Sequence, residues 1–448
     1  MRIDQFLKSE NKDKISPKKV INQTESICPE CMQRIPAEVV TDGKAVYLQK
    51  VCPEHGPSEG LVWSDLELYQ KACKEGSPNA KPEPVSPGNP FYYGLCNQVA
   101  KRSCLAILEI THHCNTNCPI CIAKTPHQKG KPPLTLKQIE RAVEVFQDTV
   151  GTKVPIQLSG GEPTLHEEIL KIVEMIKNRG FESLAMDSNG LLLARRPYLA
   201  RALKESGMDG VFLQFDGISS PVYEKIRGRN LLDEKIRAIE SCQKAGLSII
   251  IQPTVVKGVN LDELWDIVQF AVNAGTAGID FLPFTPTGRY PSWGEDPISR
   301  TTISDVIKGI EEQSAGELKA ADFYSVPCQD QRCAVISYLL IREGKLLPLT
   351  RIVDYSKVKS HYGNLSNWDT ILKDPELNLD SQSCTCSSPC CCKSPFYNLK
   401  AEGYFIIGCH SFQDRWNFDL ERARLCCFHE LTSEGRLVPF CYYNIVRK

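Results

Sequence analysis

The chain has 448 residues, of which 42% are apolar and 24% charged, with a formal net charge of -1. That balance speaks against nucleic acid as a partner, and no apolar run is long enough for a transmembrane helix. The opening "MRIDQFLKSENKDKISPKK" is polar and lacks the apolar segment of a secretory signal, so a cytoplasmic protein is expected.

The chain carries 21 cysteines. In a reducing compartment that number points to metal and iron–sulfur ligation rather than disulfides. Residues 1–75 hold "CPEC" and "CPEHG", which place Cys28, Cys31, Cys52 and His55 as C-x2-C and C-x2-H pairs. Two such pairs form the two-knuckle pattern of a zinc-ribbon or rubredoxin-like site. Zinc there would be structural and iron an electron relay; the spacing does not choose between them. Cys73 is an alternative fourth ligand. The bland reading, a cysteine-rich loop without metal, suits so short a segment poorly because it has little core of its own. Residues 76–103, opening with "GSPNAKPEPVSPGNP", read as a linker.

From 104 to 290 the chain is regular. "CLAILEI", "VPIQLS", "ESLAMDS", "GVFLQF", "LSIIIQPTVV" and "GIDFLPF" read as six strands with helical patterns between them. The first helix is expected at about 134–150. Another carries Leu232, Ile236, Ile239 and Cys242 on one stripe, so Cys242 reads as a buried structural thiol. Alternating strands and helices predict an α/β fold with a parallel sheet and right-handed crossovers, here a partial, open six-unit βα barrel. Its active site should lie at the C-terminal strand ends.

Those ends are polar or glycine-rich. The first runs into "THHCNTNCPICIAKT", with Cys114, Cys118 and Cys121 spaced C-x3-C-x2-C. The second ends in "SGGEPT" (Gly160, Gly161, Glu162, Pro163), the third in "DSNG" (Asp187, Ser188, Asn189) and the fourth in "QFDG" (Gln214, Asp216). A zinc knuckle completed by His112 or His113 would explain the cysteines but not "GGEP" on the next strand.

This combination resembles the radical S-adenosylmethionine (radical SAM) family over about 100–290. The resemblance implies an enzyme in which Cys114, Cys118 and Cys121 hold three irons of a [4Fe-4S] cluster, with S-adenosyl-L-methionine on the fourth. Reductive cleavage of that cofactor would give a 5′-deoxyadenosyl radical, which abstracts hydrogen from an unactivated carbon. Gly160, Gly161, Glu162 and Pro163 would meet the amino end of the cofactor, the glycines by close backbone approach. Ser188, Asn189 and Gln214 would contact ribose or carboxylate, and Ile120 would pack near adenine.

Residues 291–448 hold most of the remaining cysteines: Cys328 and Cys333, "CTCSSPCCCK", and "IGCHSFQDRWNFDLERARLCCFHE" leading to "VPFCYYN". Together with "CPEC…PEHG" and "CLAILEIT", these segments resemble one radical SAM branch, that of archaeal tetraether lipid synthases and methanopterin-methylating proteins. The resemblance implies auxiliary [4Fe-4S] clusters, with Cys409, Cys426 and Cys441 as ligands and Cys328 as their partner. Cys427 falls on an apolar family position and reads as packing. One departure stands out: "YGLC" has Tyr93 where the branch has the first cysteine of "CGLC", while Cys96 is kept.

Four functions compete. The first is carbon–carbon bond formation on a lipid chain, which allows peripheral membrane contact. The others are methylation of a pterin-like small molecule, SPASM-type peptide maturation, and non-catalytic iron–sulfur electron carriage. The intact "GGEP" and "DSNG" disfavour the last. An electron donor such as ferredoxin or flavodoxin is expected for the enzyme readings. His166, His410 and His429 read as structural, with His410 beside Cys409 an outer neighbour of a cluster.

Overall fold

The computed structural model describes residues 18–75, 81–125, 131–294, 296–326, 328–342, 344–351 and 403–447. Cys384, Cys386 and Cys390–Cys392 lie outside the described residues. No helix among the described residues is long and apolar enough to cross a membrane.

The first region is an antiparallel sheet of β1 (Lys19–Ile27), β2 (Arg34–Thr41), β3 (Val46–Cys52) and β4 (Gly56–Trp63), in sequence order. The β1–β2 and β3–β4 turns carry the two knuckles. Met32 and Gly56 adopt left-handed backbone there, with φ of 63° and 74°; glycine tolerates that conformation without strain. The sheet is tied to a distant part of the chain. Buried Lys50 donates to Ser26 Oγ (2.9 Å) and to the Arg415 carbonyl (2.7 Å), and Ser26 Oγ donates to the Phe418 carbonyl (2.5 Å). Burial lowers Lys50 to about 7.

The segment expected as a linker does not hang free. It forms a two-stranded ladder, β5 (Glu83–Pro84) with β6 (Gln98–Val99), and buries Phe91, Tyr93, Cys96 and Val99 in the main core. Its prolines end regular structure without preventing packing.

All six expected barrel strands are present: β7 (Leu105–Thr111), β8 (Ile156–Gly160), β9 (Leu184–Ser188), β10 (Gly210–Gln214), β11 (Ser248–Gln252) and, after the short β12 (Thr254–Val255), β13 (Gly278–Pro283). Each pairs in parallel with the next. Ala106, Ile107, Leu108 and Ile110 are all buried, the continuous apolar run of a strand covered on both faces. The covering helices show why they form. Leu136–Val150 starts in a Thr135/Gln138 capping box and buries Ile139, Ala142, Val143 and Phe146, one stripe at helical spacing. Phe146 stacks on Phe181 with centroids 6.1 Å apart.

The C-terminal region is not a separate body. After β14 (Tyr324–Ser325), β15 (Ala334–Arg342) and β16 (Lys345–Pro348), strand β17 (Gly403–His410) joins β13 in parallel. At the other edge β18 (Phe428–Leu431) joins β7 in parallel and pairs with β19 (Leu437–Pro439). The six-strand barrel thus gains one parallel strand on each edge. Pairing covers edges that would otherwise expose unpaired backbone groups, and it carries the C-terminal cysteines to both sides of the barrel mouth.

Candidate active site and metal centres

Cys114, Cys118 and Cys121 lie on the loop after β7 and line a cavity of about 250 Å³ at the C-terminal strand ends. Two latches fix this loop, and neither is legible as a motif. Gly288 (φ 78°) passes so close that a Cβ would meet the carbonyls of Ile122 and Cys121. Arg289 next to it exchanges backbone bonds with Cys121 (2.9 Å each way), and its Nε and Nη2 donate to the carbonyls of Cys118 (2.7 Å) and Thr125 (2.8 Å). From the other side, buried Arg227 grips Asp216 with two bonds (2.7 and 2.6 Å) and donates to the Ile120 carbonyl (3.2 Å). A bidentate Arg–carboxylate pair fixes direction as well as charge.

The "GGEP" glycines serve packing as well as access. A Cβ at Gly160 would sit 2.2 Å from the Thr111 carbonyl, and one at Gly161 2.1 Å from that of His113. The strand end therefore lies flush on the cysteine loop, with Gly161 N–H on Thr111 O (2.7 Å) and Glu162 N–H on His113 O (2.8 Å).

Glu162 has a structural role in the fold. Its carboxylate is wholly buried and accepts from the Thr164 and Ser188 hydroxyls (2.5 and 2.8 Å) and from the Asn189 N–H (2.7 Å). Neither Glu162 nor Pro163 lines the cavity, whereas Gly160, Gly161, Ile120, Ser188, Asn189 and Gln214 do. A carboxylate in a dry interior needs donors, and the nearest ones are the "DSNG" turn. Glu162 clamps that turn, which carries Ser188 and Asn189.

Next to Asn189, Lys235 is fully buried on the helix Leu232–Ala245, beside the expected apolar stripe. Its Nζ donates to the Asn189 carbonyl (2.6 Å) and to Gln214 Oε1 (3.2 Å), and burial lowers it to about 8. Cys242 on the same helix is a packing thiol, raised to about 12 by burial alone.

At the knuckles, Cys28 Sγ and Cys52 Sγ lie 3.7 and 3.5 Å from His55 Nδ1, and Cys31 Sγ lies 3.9 Å from Cys52 Sγ. Tetrahedral zinc with Zn–S near 2.3 Å and Zn–N near 2.0 Å requires ligand–ligand edges of about 3.5–3.8 Å. The four residues are thus spaced for one ion. Cys73 is not part of this group. His55 beside Cys52 lowers that thiol to about 6, toward the thiolate that metals bind.

The C-terminal cysteines sort differently from expectation. Cys328 groups with Cys104 and Cys427, all sulfurs within 4.8 Å of one another and Cys104–Cys427 at 2.7 Å. Cys427 is therefore in a thiol cluster rather than packing, because parallel pairing of β18 with β7 sets it beside Cys104. The thiols of Cys104 and Cys427 hold Cys328 well below its usual range. Cys409 goes the other way: wholly buried in the main apolar core, it has its thiol raised by burial. Cys426 and Cys441 are half-buried, and desolvation raises both thiols, with Cys333 adding to the rise at each; Cys333 accepts from Arg422 Nε and Nη2 (3.3 and 3.2 Å). Tyr93 is buried against Tyr442 with centroids 5.1 Å apart, and Cys96 accepts from Arg424 Nε (3.1 Å).

Comparison with known proteins bears on this architecture. Residues 108–271 match the Radical SAM superfamily, and residues 20–64 match the HMPTM N-terminal zinc ribbon domain. The chain is 33% identical, over 479 aligned positions covering 95% of it and 94% of the relative, to the 7,8-dihydro-6-hydroxymethylpterin dimethyltransferase of Methanocaldococcus jannaschii. The chain belongs to the radical SAM superfamily. It is also 28% identical over 262 positions to the GTP 3′,8-cyclase of Alkaliphilus oremlandii, spanning 54% of this chain and 79% of that one. Among solved structures, Streptococcus suis SuiB bound to S-adenosylmethionine aligns with a TM-score of 0.40 and 14% identity over 48% of each chain. This radical SAM protein is accordingly an enzyme that uses a [4Fe-4S] cluster and S-adenosylmethionine, with a zinc ribbon at its N-terminal side and cysteine clusters suited to auxiliary iron–sulfur centres.

Proposed function

We propose that this radical SAM enzyme methylates a small polar heterocycle of the pterin class. Cys114, Cys118 and Cys121 would hold the cluster, and Gly160, Gly161, Ile120, Ser188, Asn189 and Gln214 would surround S-adenosylmethionine. The bound pair supplies a carbon radical able to take hydrogen from an unactivated carbon.

The observation that carries the substrate reading is the cavity floor. The strand residues facing the barrel axis include Gln157, Asp187, Gln252 and Asp280, with Glu109 beside them and the Phe212 ring among them. These groups bond among themselves and to His410 and Arg447, and an alkyl chain would take water from their remaining donor and acceptor positions without replacing it. A ring rich in N–H and C=O groups satisfies them. The name of the Methanocaldococcus jannaschii relative agrees with this reading.

The remaining residues orient and enclose. Arg289 and Arg227 hold the cysteine loop. Phe412, Phe428 and Phe440, with ring centroids 4.8–6.1 Å apart, form an aromatic wall that keeps water from the reacting carbon. That same wall favours one second reading, carbon–carbon bond formation on a lipid chain. A ferredoxin or flavodoxin would deliver the electron.

The test is anaerobic reconstitution and incubation with dithionite, S-adenosylmethionine labelled in its methyl group, and either 7,8-dihydro-6-hydroxymethylpterin or a saturated dialkyl lipid. The expected result is pterin product heavier by one or two methyl groups, with 5′-deoxyadenosine formed alongside. Formation of 5′-deoxyadenosine with no modified pterin, or with coupled lipid instead, overturns the proposal.

A further inference from the structure

The floor of the cavity is acidic, and one of its carboxylates, Asp187, forms no ion pair among the described residues. Asp187, near the end of β9, faces the cavity and accepts a hydrogen bond from Gln157 Nε2. Across the barrel, Asp280 Oδ1 is paired with His410 Nδ1 at 2.6 Å. On the third side Glu109 is paired with Arg447. The other nearby cations are committed elsewhere: Lys235 to Asn189 and Gln214, Arg227 to Asp216, and Arg289 to the cysteine-loop carbonyls. Among the groups acting most strongly on Asp187, the charged ones are Glu162 and Asp280, both acidic.

A second observation is independent of these. Glu430 on β18 is 1% exposed, and its Oε2 makes no hydrogen bond among the described residues. It pairs in register with Ile107, a cavity-wall residue, and lies two positions from Phe428, which lines the cavity. Strand alternation puts residues 428 and 430 on one face, so Glu430 points to the barrel interior on the side of Asp187. A wholly buried carboxyl oxygen without a donor is costly to keep.

We propose that Asp187 is the specificity-determining residue for the substrate ring and takes a planar edge with two adjacent N–H groups, the 2-amino-4-oxopyrimidine side of a pterin. This rests on the pterin reading above and names the group that would enforce it. A cyclic guanidine edge meets a carboxylate with two parallel N–H···O bonds, as arginine does. Gln157 and Ser159, which line the cavity beside it, both bond to the Asp187 carboxylate, and its remaining lone pairs are left for the ring. Phe212 on the neighbouring strand offers a flat surface beside the ring. Glu430 lies on the same side as a neutral acid, because burial and the charge of Asp187 hold its carboxyl well above the usual range.

The experiment uses the reconstituted holoenzyme with S-adenosylmethionine bound and follows the fluorescence of two probes, pterin and lumazine. Lumazine carries a carbonyl where pterin carries the 2-amino group, so its oxygen would face the Asp187 carboxylate. The wild-type protein is expected to bind pterin about 10- to 100-fold more tightly, the penalty for leaving a buried polar group opposed rather than paired. Asp187→Asn offers one donor and one acceptor, the complement of lumazine's C=O and N–H. In that variant the preference should fall to parity or invert, which a merely structural role would not produce. Equal binding of both probes by the wild type, or an unchanged preference in Asp187→Asn, refutes the assignment while leaving the pterin reading standing. Binding of neither probe removes the pterin reading and this assignment with it. The wild-type comparison needs no variant, so a folding defect in Asp187→Asn does not rescue the idea.

Discussion

Replacing Lys235 by methionine separates the stability of the fold from the geometry of the cofactor site. Methionine keeps the length and apolar stem of lysine and removes only the ammonium. Two opposing effects follow. The Asn189 carbonyl loses a 2.6 Å charge-assisted bond and Gln214 loses a 3.2 Å one, a cost of about 1.5–3 kcal/mol. Against this, burial displaces the lysine from 10.5 to about 8, worth about 3 kcal/mol at 1.36 kcal/mol per pH unit. The folded state thus holds this proton less tightly than the unfolded chain. The penalty is fully present below pH 8 and relieved between pH 8 and about 10.5, where stability rises with pH. Removing the charge removes the penalty, so the two terms nearly cancel and the melting temperature should move by only a few degrees. The site, by contrast, loses the group that fixes the "DSNG" turn and the Gln214 amide together. The expected result is S-adenosylmethionine affinity about 10-fold weaker, measured by equilibrium dialysis of the reconstituted protein. Wild-type affinity should also weaken above pH 8, as the amine loses its proton, while the Lys235→Met profile stays flat. Unchanged affinity with an unchanged pH profile would refute the positioning role.

Two further outcomes can be checked. Cys28→Ser should lower bound metal by one equivalent and destabilise the ribbon sheet, seen as earlier proteolysis between residues 19 and 63, because a four-ligand site contributes directly to folding; retention of the full metal content would show that the four residues do not hold an ion. Cys427→Ala and Cys328→Ala should each lower auxiliary iron content, whereas Cys409→Ala should leave it unchanged and cost about 1 kcal/mol of packing in denaturant unfolding. Iron loss in Cys409→Ala alone would reverse that assignment.

Much of the architecture could be read from local pattern. The six strands are apolar runs bounded by turn residues, and a strand covered on both faces announces itself that way. The cysteine loop and "GGEP" are contiguous, so their positions at strand ends followed once the strands were placed. The knuckle ligands came as two short pairs on two turns, and hairpin closure brings such pairs together. Glu162 was harder. Its residue type suited either a cofactor contact or an internal clamp, and only burial with its donors showed the clamp. Lys235 and Arg289 carry no motif, because their partners are backbone carbonyls, which leave no mark in sequence.

By itself, then, the sequence determined how the radical centre is built, since spacing along one loop and one neighbouring strand suffices for that. It also determined the ribbon site. What the tertiary structure decided is everything resting on strands far apart in the chain. Cys104 and Cys427 meet because β18 returns 323 residues later to pair beside β7. The cavity floor draws on Gln157, Asp187, Gln252 and Asp280 from four strands. Each of these residues is an ordinary polar side chain in its own segment. They line one cavity only because successive parallel strands turn alternate residues toward a common axis.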